Sequence, residues 1–166
     1  MKETERQLVF LAEHGIEFVV VGGVAATLHG SSYVTHDLDV CYSRDGANLE
    51  RLARALKSVN ARLRGAPEGL PFILDAETLR RGLNFTFMTD IGPMDFLGEV
   101  AGVGGHREAR AEAVIKELFG HQYSVLALDR LIASKRAAGR TKDLLVLPEL
   151  EAILECQQEN PAEVNN

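Results

Sequence analysis

Apolar and polar positions recur along this chain in two rhythms, and each change of rhythm marks an element. From Glu3 to His14, Leu8, Leu11 and Ala12 fall on one side at helical spacing, and Gly15 is a natural stop. Glu17-Phe18-Val19-Val20-Val21 is β-branched and nearly all apolar, the pattern of a strand buried on both faces. Gly22-Gly23 ends it, a short helix follows over Val24 to His29, and Gly30 is its C-cap. Leu38 to Tyr42 reads as a second strand with Asp37 at its mouth. Ala47 to Val59 reads as an amphipathic helix with Leu49, Leu52, Ala53 and Leu56 inward. Gly65 to Pro71 is loop, and Ala76 to Arg81 a short helix. Leu83 to Met88 and Met94 to Leu97 form a hairpin around Asp90-Ile91-Gly92-Pro93. After a glycine-rich link, Ala101 to Gly105, come two extended pieces, Ala113 to Leu118 and Tyr123 to Leu126. Leu128 to Ala138 is a helix ended by Gly139. Thr141 to Leu147 and Glu149 to Gln157 are two helical pieces, with Pro148 at the first turn of the second.

This order predicts an α/β (α+β) fold: a mixed β-sheet flanked by helices, with further helices at the C-terminus. The 166 residues suit one domain over 1–157, and the polar stretch 158–166 with Pro161 is expected to be a disordered tail. Hydrophobic residues make up 46% of the chain, enough for a core. No apolar run reaches membrane-spanning length, and Met1 to Gln7 show no secretory pattern. A cytoplasmic protein with no membrane partner is the expectation. Cys41 and Cys156 lie far apart, and the five histidines show no ligand-like pairing, so no zinc site is expected. The net charge of −6 argues against attraction of nucleic acid by the whole molecule. Between Arg130 and Lys142, however, Arg130, Lys135, Arg136, Arg140 and Lys142 have no acid among them. Such a strip is either a solvated helix face or a phosphate contact.

The candidate chemistry begins at Asp37-Leu38-Asp39-Val40. On a strand, Asp37 and Asp39 share one face, about 7 Å apart, while Leu38 and Val40 enter the core. Two like charges so placed do not help stability, and an oxygen-seeking cation such as Mg²⁺ between them would. Alone, the pair reads more simply as an exposed polar face of an edge strand. Asp95 adds weight, because it is a lone acid in the apolar run Met94-Asp95-Phe96-Leu97. If its strand neighbours that of Asp39, three carboxylates converge, a set able to hold two divalent ions for in-line nucleotidyl transfer. Gly22-Gly23, between a strand and a helix, lets a phosphate approach backbone N–H groups. Ser31, Ser32 and Thr35 are further hydroxyls close by. Lys135 continues the Leu128, Leu131, Ile132 stripe, so it either snorkels outward or reaches into a site.

Together these segments resemble the nucleotidyltransferase superfamily related to DNA polymerase beta, in particular its small bacterial AbiEii-type, toxin-like members. The resemblance is carried by Val19-Val20-Val21-Gly22-Gly23-Val24-Ala25-Ala26, His29-Gly30, Thr35-His36-Asp37-Leu38-Asp39 and Asp95. Leu131-Ile132-Ala133-Ser134-Lys135 and Arg140-Thr141-Lys142-Asp143-Leu144 add to it. It implies two Mg²⁺ ions bound by Asp37, Asp39 and Asp95, and a nucleoside triphosphate (NTP) over Gly22-Gly23. It further implies transfer of a nucleoside monophosphate to a hydroxyl of RNA, protein or a small molecule. Asp95 would assist deprotonation of the acceptor, Lys135 would neutralise phosphate, and Asp143 would orient Lys135 or the nucleotide. A toxin–antitoxin role with a cognate antitoxin as partner is a further implication. One position departs from the family: Gly23 stands where many members have serine. The alternative is a catalytically degenerate module of the same fold that binds a nucleotide or a partner.

Overall fold

The computed structural model describes residues 2–67 and 69–161. Helix α1 (Lys2–Glu13) leads into strand β1 (Phe18–Val21), helix α2 (Gly22–Leu28), strand β2 (Leu38–Tyr42) and helix α3 (Gly46–Ser58). A short strand β3 (Arg62–Leu63) and helix α4 (Ala76–Arg81) precede the hairpin of β4 (Asn84–Thr89) and β5 (Gly92–Leu97). Two-residue strands β6 (Glu99–Val100) and β7 (Gly104–Gly105) pair with each other ahead of helix α5 (His106–Ala111). A second hairpin, β8 (Ala113–Leu118) and β9 (His121–Leu126), is followed by helices α6 (Leu128–Ala138) and α7 (Thr141–Glu159).

Seven strands form one mixed sheet in the order β3-β4-β5-β2-β1-β9-β8. The β2–β5 and β1–β9 pairs are parallel and the remaining pairs antiparallel. Strand β1 lies inside the sheet, with α2 and α5 both packed against it. That placement explains its unbroken apolar run, because Val19, Val20 and Val21 are all buried. Tyr42, Phe87 and Phe96 form an edge-to-face aromatic group in the core. Tyr42 is fully buried there because its hydroxyl donates to the Leu83 carbonyl at 2.9 Å.

The mixed sheet flanked by helices is the fold class expected from the pattern. Local differences have local causes. Helix α2 begins at Gly22 itself, so the glycine pair is the first turn of the helix. The two C-terminal pieces are one helix, α7, with Pro148 in its interior. Proline removes one donor there and leaves the Leu144 carbonyl without its helical partner. Leu144 is exposed, so water can take that bond, while Val146, Leu147 and Leu150 stay buried and carry the packing across the proline. Helix α5 has no apolar stripe to predict it, because His106-Arg107-Glu108-Ala109-Arg110-Ala111 offers only alanines as apolar positions. Of the stretch expected to be a disordered tail, residues 162–166 lie outside the described residues, and α7 continues to Glu159. No described helix is long and apolar enough to cross a membrane.

Candidate active site

Strands β2 and β5 run parallel with Asp39 directly opposite Asp95. In-register residues of neighbouring strands point to the same face, so the two carboxylates are brought together by the sheet itself. Asp37 lies just ahead of β2. All three line one cavity of about 490 Å³, together with Gly22 at the β1–α2 junction.

Each glycine of the junction has its own reason to lack a side chain. Gly22 has φ +63°, and a Cβ there would overlap the Asp39 carboxylate. The chain must pass this close for Asp39 to reach the cavity beside the start of α2. Gly23 is constrained by Thr35: an added Cβ would lie 2.7 Å from the Thr35 Cβ and 2.8 Å from its hydroxyl oxygen. Thr35 therefore stands where the side chain of a serine at position 23 would go, and it lines the same cavity. The Gly23 N–H, expected to face a phosphate, lies near enough to the Asp39 carboxylate to pull its pKa slightly down.

The electrostatics of the three acids differ. Burial, then Asp95, then Asp37 push Asp39 up to about 6, against weaker opposite pulls from Lys142 and the Gly23 N–H. Burial also raises Asp95, and outweighs the pull of Arg64 in the other direction. Arg64 is the residue the sequence did not single out. Its Nη1 donates to Asp37 Oδ2 at 2.9 Å, and its Nη2 to Asp95 Oδ1 and Oδ2 at 2.9 and 3.0 Å. Desolvation opposes the Arg64 charge, but its bonds to the two carboxylates prevail and raise its pKa. Nothing in Arg62-Leu63-Arg64, a stretch leading into a Gly/Pro loop, marks it in advance.

The opposite wall comes from α6 and the first turn of α7. Asp143 is only 2% exposed and accepts from Lys135 Nζ at 3.4 Å and from Arg140 Nε at 2.6 Å. Burial works to raise its pKa, but Arg140 and Lys135 outweigh burial and lower it. Lys135 is therefore turned inward rather than snorkelling, and Asp143 orients it. Arg140 and Lys142 line the cavity as well. The basic strip is thus divided. Arg136 pairs with Glu151 and Arg130 approaches Glu112 at 3.8 Å, neither of them in the cavity lining. Ser31 and Ser32 also turn elsewhere: their hydroxyls donate to Glu149 of α7 at 2.5 and 2.7 Å. That clamp fixes the loop leading to Thr35 and Asp37.

Among the described residues, no group of three or more His, Cys, Asp or Glu side chains is drawn together tightly enough to ligate a metal. Arg64 takes up two of the three carboxylates instead. Their chemistry nonetheless fits a hard divalent cation. They are oxygen donors with an excess of negative charge, already bridged by a cation, and Asp39 has no ion-pair partner among the described residues.

No protein-family model and no curated protein matches the chain. Solved structures do. The lincosamide antibiotic adenylyltransferase LnuA, in its lincomycin-bound form, aligns with a TM-score of 0.61 at 12% identity, over 92% of this chain and 97% of its own. A Thermotoga maritima protein provisionally assigned as a nucleotidyltransferase aligns at 0.57 and 16% identity, over 90% and 92%. The antibiotic-resistance factor ANT(2'')-Ia aligns at 0.52 and 14%, over 98% and 94%. At these identities the likeness speaks for architecture, and it extends over nearly the whole of every chain compared. The chain has the nucleotidyltransferase fold.

Proposed function

We propose that this chain is a nucleotidyltransferase that moves a nucleoside monophosphate from an NTP to an acceptor hydroxyl. One observation carries the reading: Asp37, Asp39 and Asp95 face the Gly22 junction and the Lys135, Arg140, Lys142 wall across a single cavity. The triphosphate lies between the two, its charge balanced by Lys135, Arg140 and Lys142. Asp37, Asp39 and Asp95 would hold Mg²⁺, which would supply charge neutralisation for the phosphates and the acceptor hydroxyl. Asp95 accepts the hydroxyl proton as the acceptor oxygen attacks the α-phosphorus. The bond from that phosphorus to the α,β-bridging oxygen breaks, and pyrophosphate leaves. Thr35 offers a hydroxyl in the space a serine at position 23 would use.

Two of the structural neighbours are named for antibiotics, which favours a small hydroxylated acceptor over RNA or protein. The toxin–antitoxin role rests on the sequence resemblance alone. The test is to incubate the chain with Mg²⁺ and each labelled NTP, offering lincomycin and related hydroxylated antibiotics, total RNA and cell protein as acceptors. Label is expected on one acceptor class, with a loss of about a thousandfold in Asp39→Ala. Absence of transfer from every NTP to every acceptor refutes the proposal.

A second reading is a binding module without chemistry, and the Arg64 bridge between Asp37 and Asp95 favours it. In that case an NTP binds, no label moves, and Asp39→Ala leaves the biological effect of the chain intact.

A further inference from the structure

Arg64 leaves the end of β3 with its backbone N–H donating to the Thr86 carbonyl at 2.9 Å, which fixes the root of its side chain on the sheet. From there the guanidinium spans from Asp37 to Asp95 through three contacts of 2.9–3.0 Å. No other cation among the described residues pairs with either acid. Asp39, across the register from Asp95, is left without a cationic partner. A planar, delocalised cation thus stands where three acids would otherwise repel, and it satisfies two of them.

We infer that Arg64 is the resident counter-ion of this site, and that a divalent cation gains Asp37 and Asp95 only by displacing it. This inference rests on the nucleotidyl-transfer reading of the same cavity. The side chain has the means to leave. It is about one-third exposed, its next residue is Gly65 at φ +76°, and it borders an adjoining cavity of about 500 Å³ between Arg62, Leu70 and Met88. The displaced guanidinium keeps its charge and stays within a side chain's reach of the site. Cation binding without nucleotide is therefore weak, because a metal ion must first break the charge-assisted contacts of Arg64 to Asp37 and Asp95. A triphosphate that offers the released arginine a new partner makes the two ligands bind cooperatively.

The test uses Mn²⁺ alone as the probe, with free Mn²⁺ read by electron paramagnetic resonance on the full chain without nucleotide. Arg64→Gln is expected to bind Mn²⁺ roughly tenfold or more tightly than the unsubstituted chain, which corresponds to about 1.4 kcal/mol. Arg64→Lys, a point charge unable to fork between two carboxylates, should fall between them. Equal or weaker binding by Arg64→Gln, in a variant whose circular dichroism and melting are intact, overturns the inference. So does an absence of Mn²⁺ binding by all three chains. A second measurement needs no variant. Mg²⁺ should speed tryptic cleavage after Arg64 several-fold relative to cleavage after Arg107, since the freed arginine can enter the protease. An unchanged or slower relative rate overturns the inference. The outcomes also separate it from the proposed activity. Tighter Mn²⁺ binding by Arg64→Gln without nucleotide transfer sinks the activity alone. Transfer without a change in Mn²⁺ binding sinks the counter-ion alone.

Discussion

A methyl group added at Gly23 would lie 2.7 Å from the Thr35 Cβ, closer than two such carbons approach in folded proteins. The missing serine at this position is therefore not a simple loss, because a second residue has grown into the space. Gly23→Ser is expected to destabilise the chain by about 1–3 kcal/mol through overpacking. Pairing it with Thr35→Gly should restore at least half of that loss, since the colliding Cβ is then gone. Urea unfolding of the two single variants and the double variant checks the coupling, and strictly additive losses would contradict it. This pairing could not be read from the sequence. Thr35 was visible as one hydroxyl among three, and only the folded loop sets it against Gly23 rather than against solvent. Arg64 was hidden for a similar reason: its importance comes from where β3 pairs with β4, and a two-residue strand leaves no periodicity to read.

At the scale of elements, the β2–β5 pair was the legible part of the site. Asp39 and Asp95 are each the one acid in an otherwise apolar strand. The only question left open was whether the strands are neighbours, and they are, in register. The α6–α7 corner was half legible. Lys135 lies on the apolar stripe of its helix and so had to face inward or bend away. Asp143, buried in the first turn of α7, draws it inward. Removing that acid leaves Lys135 and Arg140 facing each other without compensation. Asp143→Asn is expected to cost about 3 kcal/mol and to weaken NTP binding. Asp143→Asn combined with Lys135→Met should recover stability but not binding. Chemical denaturation and nucleotide titration of the same variants separate the two effects, and a single variant that unfolds like the parent would refute the role given to Asp143.

For the whole molecule, the raised and lowered acids set how stability varies with pH. The folded chain holds Asp39 at about 6 against an ordinary 3.8, so between those values the folded state binds more protons than the unfolded one. Stability therefore falls as pH rises through that window, and raised Asp95 acts in the same sense. Asp143 is lowered, and its contribution is lost as pH falls below the ordinary carboxylate range. In the absence of divalent ions these carboxylates favour the folded chain most near the ordinary carboxylate range, and burial, which lowers His29 and His106, opposes the decline as pH approaches 6.5. Asp39→Asn should flatten the decline and gain on the order of 3 kcal/mol at pH 7, at about 1.4 kcal/mol per pKa unit. Melting temperatures of the parent and of Asp39→Asn from pH 4 to 8 in the presence of a chelator test this, and a parallel pH dependence in the two chains would refute it. The acids that make the cavity useful are thus a standing cost to the fold.

The Glu149 clamp has a consequence for how the molecule comes into being. A nascent chain that has emerged as far as Gly139 already contains every strand of the sheet and all three carboxylates. It still lacks Asp143, which aims Lys135, and Glu149, which gathers Ser31 and Ser32 and so steadies the approach to Thr35 and Asp37. The sheet can fold before the pocket exists, and α7, synthesised after every strand, is the helix that closes it. Until then a ribosome would carry a folded body with an unfinished mouth.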